Sequence, residues 1–156
     1  IVGTFGKAVG VNGGFIAASE TVIEAVRQKA DTYIYTNPLS VADCAAAIKA
    51  IDICDSKEGL GLLDNLRQRQ QQFRKGLEIL GRETIEGPHP VIPLMVRSTP
   101  KTHEMVTSLY NSGALVVGLV FPVVPKGDES IRFQINAAHS EADIDMVLTL
   151  LEKMKL

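Results

Sequence analysis

The chain has 156 residues, 46% of them hydrophobic and 22% charged, with a formal net charge of −2; that is enough apolar material for a real core and too much for intrinsic disorder. Its mildly acidic balance gives no electrostatic footprint for nucleic acid or an anionic membrane surface. No apolar run reaches the roughly 18 to 20 residues of a membrane span, and no basic start with an apolar core marks a signal peptide, so a cytoplasmic protein is expected.

Ile1 stands inside an apolar run, so a strand is expected to be entered partway along, as in a piece of a longer protein. The run feeds a glycine-rich turn, IVGTFGKAVGVNGG, in which Lys7 lies between Gly6 and Ala8. A lysine turns into a Schiff-base nucleophile where a confined site lowers its pKa, and small neighbours leave room for a cofactor against the backbone. Thr4, three residues earlier, offers a hydroxyl to a phosphate that the glycine N–H groups also face. The spacing fits neither a P-loop nor a dinucleotide fingerprint, and an ordinary exposed turn is the competing reading. A second strand is predicted over 14–18. Ser19 then caps a helix carrying Val22, Ile23, Val26 and Ala30 at helical spacing.

The segment TYIYTNPL alternates aromatic and polar residues up to Asn37–Pro38, which predicts an extended loop. Ser40 and Asp43 form a capping-box pattern before a helix, VADCAAAIKAIDIC, that is apolar on most faces. Its Cys44 and Cys54 stand about 280° apart around that helix and read as small buried residues. No cluster has metal-ligand spacing, so no metal is expected. The weakly polar stretch 55–61 predicts a boundary, dividing residues 1–58 from residues 59–156. Beyond it a long helix carries Leu63, Leu66, Phe73, Leu77 and Leu80 on one face, with RQRQQQ as its solvated side and the capacity to bridge two lobes. Strand 91–96, helix 100–111, strand 114–120, the loop PVVPKGDES and strand 131–135 follow. Ser140 and Asp143 cap a last helix with an Ile144, Val147, Leu148, Leu151, Met154 stripe. The tail is thus a β-α-β-β-α layer: α/β, a short mainly antiparallel sheet covered by helices.

Taken in order, GTFGKAVG with GGF, then YIYTNPLS, then PVVPKG followed by IRFQINAAH, resembles the α-oxoamine synthases, pyridoxal-phosphate enzymes of the aspartate-aminotransferase-like fold type I. PVVPKG in particular is similar to the glycine C-acetyltransferases, also called 2-amino-3-ketobutyrate CoA ligases. The spacing from Lys7 to Phe15 is one residue shorter than in that group and resembles the serine palmitoyltransferases and 5-aminolevulinate synthases. The match spans nearly the whole chain, and corresponds to the last two-fifths of such an enzyme: the end of the cofactor-binding large domain over residues 1–58 and the C-terminal small domain over 59–156.

The resemblance implies an acyltransferase that condenses an amino acid, glycine, with an acyl-CoA, in a homodimer with shared active sites. It implies that Lys7 carries pyridoxal 5'-phosphate as the internal aldimine and removes the substrate Cα proton. It further implies that Thr4 binds the cofactor phosphate, that Thr36 reaches the phosphate in the neighbouring subunit, and that Arg132 clamps the substrate carboxylate. The family's ring-stacking aromatic, its pyridinium aspartate and its first phosphate loop are expected upstream, in an N-terminal part that would cover residues 1–54; residues 1–156 alone are expected to be inactive. A condensation like that of 8-amino-7-oxononanoate synthases or serine palmitoyltransferases is the alternative within the class, and a non-catalytic dimerisation module the alternative outside it. Read singly, Arg132 fits a surface ion pair and Thr36 a turn. His89 and His103 carry no role, His139 reads as a helix-entry residue, and Lys126 as a loop-tip cation with a contact to CoA phosphates as its other reading.

Overall fold

A computed structural model describes residues 1–154. The chain is α/β and divides into two units, Ile1–Leu60 and Gly61–Leu156. In the first, β1 (Val2–Thr4) and β2 (Gly14–Ile16) form an antiparallel hairpin, followed by α1 (Glu20–Lys29), the single turn α2 (Thr32–Tyr35) and α3 (Val41–Cys54). Helix α4 (Lys57–Ile79) starts there and continues through the second unit, where β3 (Val91–Met95), α5 (Thr99–Asn111), β4 (Val117–Leu119), β5 (Ser130–Gln134) and α6 (Glu141–Lys153) follow. No described helix is long and apolar enough to cross a membrane.

The second unit is built on an antiparallel sheet of order β3-β5-β4, in which Ile92 pairs with Phe133, Leu94 with Ile131 and Gly118 with Ile131. Period-two alternation sends Ile131, Phe133 and Ile135 to one face, where they join Ile92 and Leu94 in the core. Phe73 and Leu77 of α4, Leu109 of α5 and Leu151 of α6 are fully buried in the same cluster. Phe73 and Phe133 meet with ring centroids 4.9 Å apart, a tilted aromatic pair worth more than its area alone. Gly76 sets how closely α6 lies on α4, since an added Cβ would stand 2.3 Å from Leu148 Cδ1. At the start of α6 the capping box forms in both directions: Ser140 Oγ accepts from the Asp143 N–H, and Asp143 accepts from the Ser140 N–H at 2.8 Å. Those bonds to Ser140 hold the Asp143 carboxyl below the usual carboxylate range.

Several expectations are corrected. Thr32–Tyr35 is a helical turn rather than an extended segment, because the Asn37–Pro38 restriction acts only on residue 37 and leaves the peptide before it free to fold. Ser19 holds the N-cap position of α1 without a side-chain bond, and at α3 only Ser40's half of the box forms. The stretch 55–61 is mostly the first turn of α4, and the division between the two units falls inside it, after Leu60; Ser56 Oγ donates to the Ile53 carbonyl at 2.7 Å, and the chain bends over two residues. Leu63 is exposed, while the RQRQQQ side is not a wholly solvated face. Gln70 is buried, and Gln72 Nε2 donates to Asp145 Oδ1 at 2.7 Å, tying α4 to α6. Cys44 and Cys54 are exposed, since α3 buries only Ala47.

Candidate functional site

Lys7 lies at the tip of the β1–β2 hairpin. The ladder pairs Val2 with Ile16, Gly3 with Phe15 and Thr4 with Gly14. It runs one step further through Phe5 N–H to the Gly13 carbonyl (2.9 Å), then closes through Val11 N–H to the Phe5 carbonyl (3.1 Å) and Gly10 N–H to the Lys7 carbonyl (3.0 Å). Lys7 therefore opens a four-residue turn, with glycine at the fourth place that such turns favour. Gly10 and Gly13 adopt φ of +72° and +102°, which an L side chain resists. An added Cβ at Gly13 would also stand 2.5 Å from Leu39 Cδ2. The tip is pinned from outside by Asp43, whose Oδ1 accepts from the Asn12 N–H at 3.3 Å, and within the hairpin Phe5 stacks on Phe15 at 5.8 Å. Asp43 thus uses one oxygen at the Ser40 cap and the other at the turn, and its hydroxyl bond from Ser40 is the main reason its carboxyl sits below the ordinary range.

Lys7 and Thr4 are exposed on this hairpin, Thr4 at its last ladder rung, and Lys7 forms no ion pair among the described residues. At Gly6 an added Cβ would meet nothing nearer than the Val11 carbonyl at 3.9 Å, so the turn leaves open space beside the lysine. Thr36 lies on a separate segment of the same unit, exposed and extended at φ −120° and ψ 142° just past α2. The structure therefore brings Lys7 and Thr4 together on one hairpin and places Thr36 on a separate segment.

Arg132 belongs to the second unit, at the middle of the central strand β5, opposite Pro93 on one side and Val117 on the other. Alternation puts it on the sheet face away from the core. It is half-buried, its Nε is removed from solvent without a hydrogen-bond partner, and it forms no ion pair among the described residues. Arg69 and Arg82 also have an unpartnered Nε, but each spends its terminal nitrogens within the fold, Arg69 on Gln72 and Arg82 on the Leu151 and Met154 carbonyls. A buried donor left unmatched is costly.

Sequence reasoning missed the clasp that sets the approach to β5. Arg97, at φ +62°, binds Glu83 through two nitrogens and Asp128 at 2.8 Å, and donates to the Gly127 carbonyl at 2.9 Å. Arg97's bonds hold the Glu83 carboxyl down. Glu129 is only 3% exposed; it accepts from Thr99 Oγ1 at 2.9 Å and Gly127 N–H at 2.8 Å. Its own backbone N–H is the chief cause of its lowered pKa. The acidic spacing D-E after a glycine was visible, but its partner lies about 30 residues away in sequence. His139 Nδ1 accepts from the Asn136 N–H at 3.4 Å at the entry to α6. Among the described residues no group of three or more His, Cys, Asp or Glu is placed to hold a metal.

The family described as aminotransferase class I and II matches residues 1–151. An 8-amino-7-oxononanoate synthase of Petrotoga mobilis is 37% identical over 156 residues, covering 98% of this chain and 38% of that protein. A 2-amino-3-ketobutyrate coenzyme A ligase of Salmonella typhimurium is 36% identical over 145 residues, covering 92% of this chain and 36% of that protein. Among solved structures, SPT with PLP internal aldimine superposes with a TM-score of 0.89 at 27% identity, covering 97% of this chain and 38% of that one. The chain therefore spans about two-fifths of the length of the relatives it matches.

Proposed function

The chain belongs to the pyridoxal-phosphate-dependent class I and II aminotransferase family, in its α-oxoamine synthase branch, and on that footing we propose that it carries the cofactor lysine and the carboxylate-binding arginine of an enzyme joining an amino acid, glycine, to an acyl-CoA. The residues present fit the cofactor. Lys7 offers an exposed amine at a turn with open space at Gly6, and Thr4 an exposed hydroxyl on the same hairpin. The observation that carries the reading is Arg132, whose buried Nε has no partner in the fold.

Lys7 would hold pyridoxal phosphate through its amine, with Thr4 and, in the partner subunit, Thr36 donating to phosphate oxygens. When bound, the cofactor supplies an electron sink for negative charge developing at the substrate Cα. The Arg132 guanidinium takes the substrate carboxylate in two parallel N–H···O bonds, which fixes the Cα–H bond in direction as well as place. Lys7 Nζ would also serve as the base that accepts the substrate Cα proton. The turn that presents Lys7 is closed by three backbone bonds and pinned by Asp43. A second reading, alanine with a longer acyl donor, draws support from the 37% identity to the Petrotoga mobilis synthase. In this account the enzyme is a homodimer of longer chains in which residues 1–58 close the large domain and 59–156 form the small one.

The test is Arg132→Lys in the full-length enzyme. Loss of the bidentate contact should raise the amino-acid KM about 10- to 100-fold, the equivalent of roughly 1.5–3 kcal/mol, with the acyl-CoA KM little changed. An amino-acid KM within a factor of about two of the parent would remove Arg132 from this role.

A further inference from the structure

The β4–β5 ladder ends early. Its last pair is Val117 with Arg132, and the next two places, where Val116 would face Phe133 and Leu115 would face Gln134, are unpaired. The strands fork there, and a cavity of about 360 Å³ opens between them, within the second unit alone. Phe73, Phe133, Ile144 and Val147 give it apolar walls, and His139 and Asp143 stand at its polar side. Its volume falls in the range of small-molecule sites, which combine apolar walls with a few placed polar groups.

The backbone supplies those groups. Ile135 N–H donates to the Pro90 carbonyl, so odd-numbered residues of β5 turn their peptide groups toward β3 and even-numbered ones toward β4. Gln134 therefore aims its N–H and C=O into the fork. Leu115 is its counterpart by the same alternation, two places before Val117. Charge narrows the choice of ligand. Asp143 is ionised by its cap bonds, and His139 is the one basic side chain lining the cavity, so an anion is disfavoured. We propose that this fork binds a small, uncharged, flat ring bearing an adjacent N–H and C=O, a cyclic amide, whose edge pairs with the Gln134 peptide while its ring lies against Phe133 and Val147. The inference is independent of the cofactor site.

The probe is oxindole, titrated into the full chain and followed by amide NMR. The expected result is saturable shifts at Gln134 and Leu115, with a Kd on the order of 1 mM for so small a ligand. N-methyloxindole, which lacks the donor, should bind at least about fivefold more weakly. Met146→Trp, at a position 41% exposed on the cavity rim, should fill the space and weaken oxindole at least about tenfold while the remaining amide spectrum stays unchanged. No saturable shift up to about 10 mM overturns the site. Equal binding of the two probes overturns the amide pairing, and unchanged binding to a folded Met146→Trp overturns the location. If Met146→Trp does not fold, Leu115→Trp, at a lining position 85% exposed, serves in its place with the same two outcomes.

Discussion

The two units contrast in how they hold their shape. From Gly61 onward, apolar side chains from three helices and a sheet close on one another, and seven large residues there have no solvent exposure at all: Phe73, Leu77, Ile92, Leu94, Leu109, Ile131 and Leu151. Before it, Ala47 is the one buried hydrophobic residue, and Val41, Ile48, Tyr35 and Ile34 are more than 60% exposed. The hairpin bearing Lys7 owes its form to backbone bonds, two positive-φ glycines and the Asp43 pin. One unit is a scaffold set by packing; the other presents an exposed lysine on a turn set by hydrogen bonds.

Core deletion should show the contrast at its largest. Phe73→Ala should destabilise residues 61–156 by about 3–5 kcal/mol in denaturant unfolding, because it removes a ring with no solvent exposure. Ile48→Ala in α3 should change stability by no more than about 0.5 kcal/mol in the 156-residue chain. A cost for Ile48→Ala near that of Phe73→Ala would mean that the α3 face is covered in solution and that the contrast is false.

Backbone effects come next. Gly13→Ala combines φ of +102° with an approach to Leu39, and should cost about 1–2 kcal/mol of local hairpin stability, read as lost amide-exchange protection at Phe5 and Val11. Unchanged protection would mean that glycine is not what sets the turn. Capping gives a smaller, paired test. Ser140→Ala breaks a reciprocal box and should cost about 1 kcal/mol, whereas Ser19→Ala, at a cap without a side-chain bond, should cost only a few tenths. Equal costs would contradict the geometry at both helices.

The smallest effect is on pH dependence. Asp143 and Glu129 have carboxyls lowered in the folded chain, so their stabilisation is complete above the unfolded carboxylate range and is lost as pH falls through the lower folded values. Stability should therefore be level from about pH 5 to 7 and decline below about pH 4. Glu129→Gln should reduce that acid slope. An acid limb unchanged in this variant would mean that Glu129 does not contribute to it.

What could be read in advance follows from range. Ser140 with Asp143 is a local signal three residues long, and its box forms as the residues suggest. Phe73, Leu77 and Leu151 announce themselves by helical spacing, and the alternation of Ile131, Phe133 and Ile135 marks the core face of β5. The turn that carries Lys7 just beyond Thr4's strand follows from glycine chemistry. Arg132's orphaned Nε does not, since nothing in IRFQI says that Pro93 and Val117 flank it without offering an acceptor. The Arg97 clasp and the β4–β5 fork likewise depend on where distant segments meet. Cys44 and Cys54 were misread because an apolar helix predicts burial only when something in the chain covers it.

The central claim is that Lys7 is the cofactor lysine. Borohydride treatment of the full-length holoenzyme, followed by peptide mapping, tests it most directly: the account predicts a reduced pyridoxyl group on the peptide containing Lys7 and loss of that label in Lys7→Ala, and a pyridoxyl group on any other lysine would contradict it.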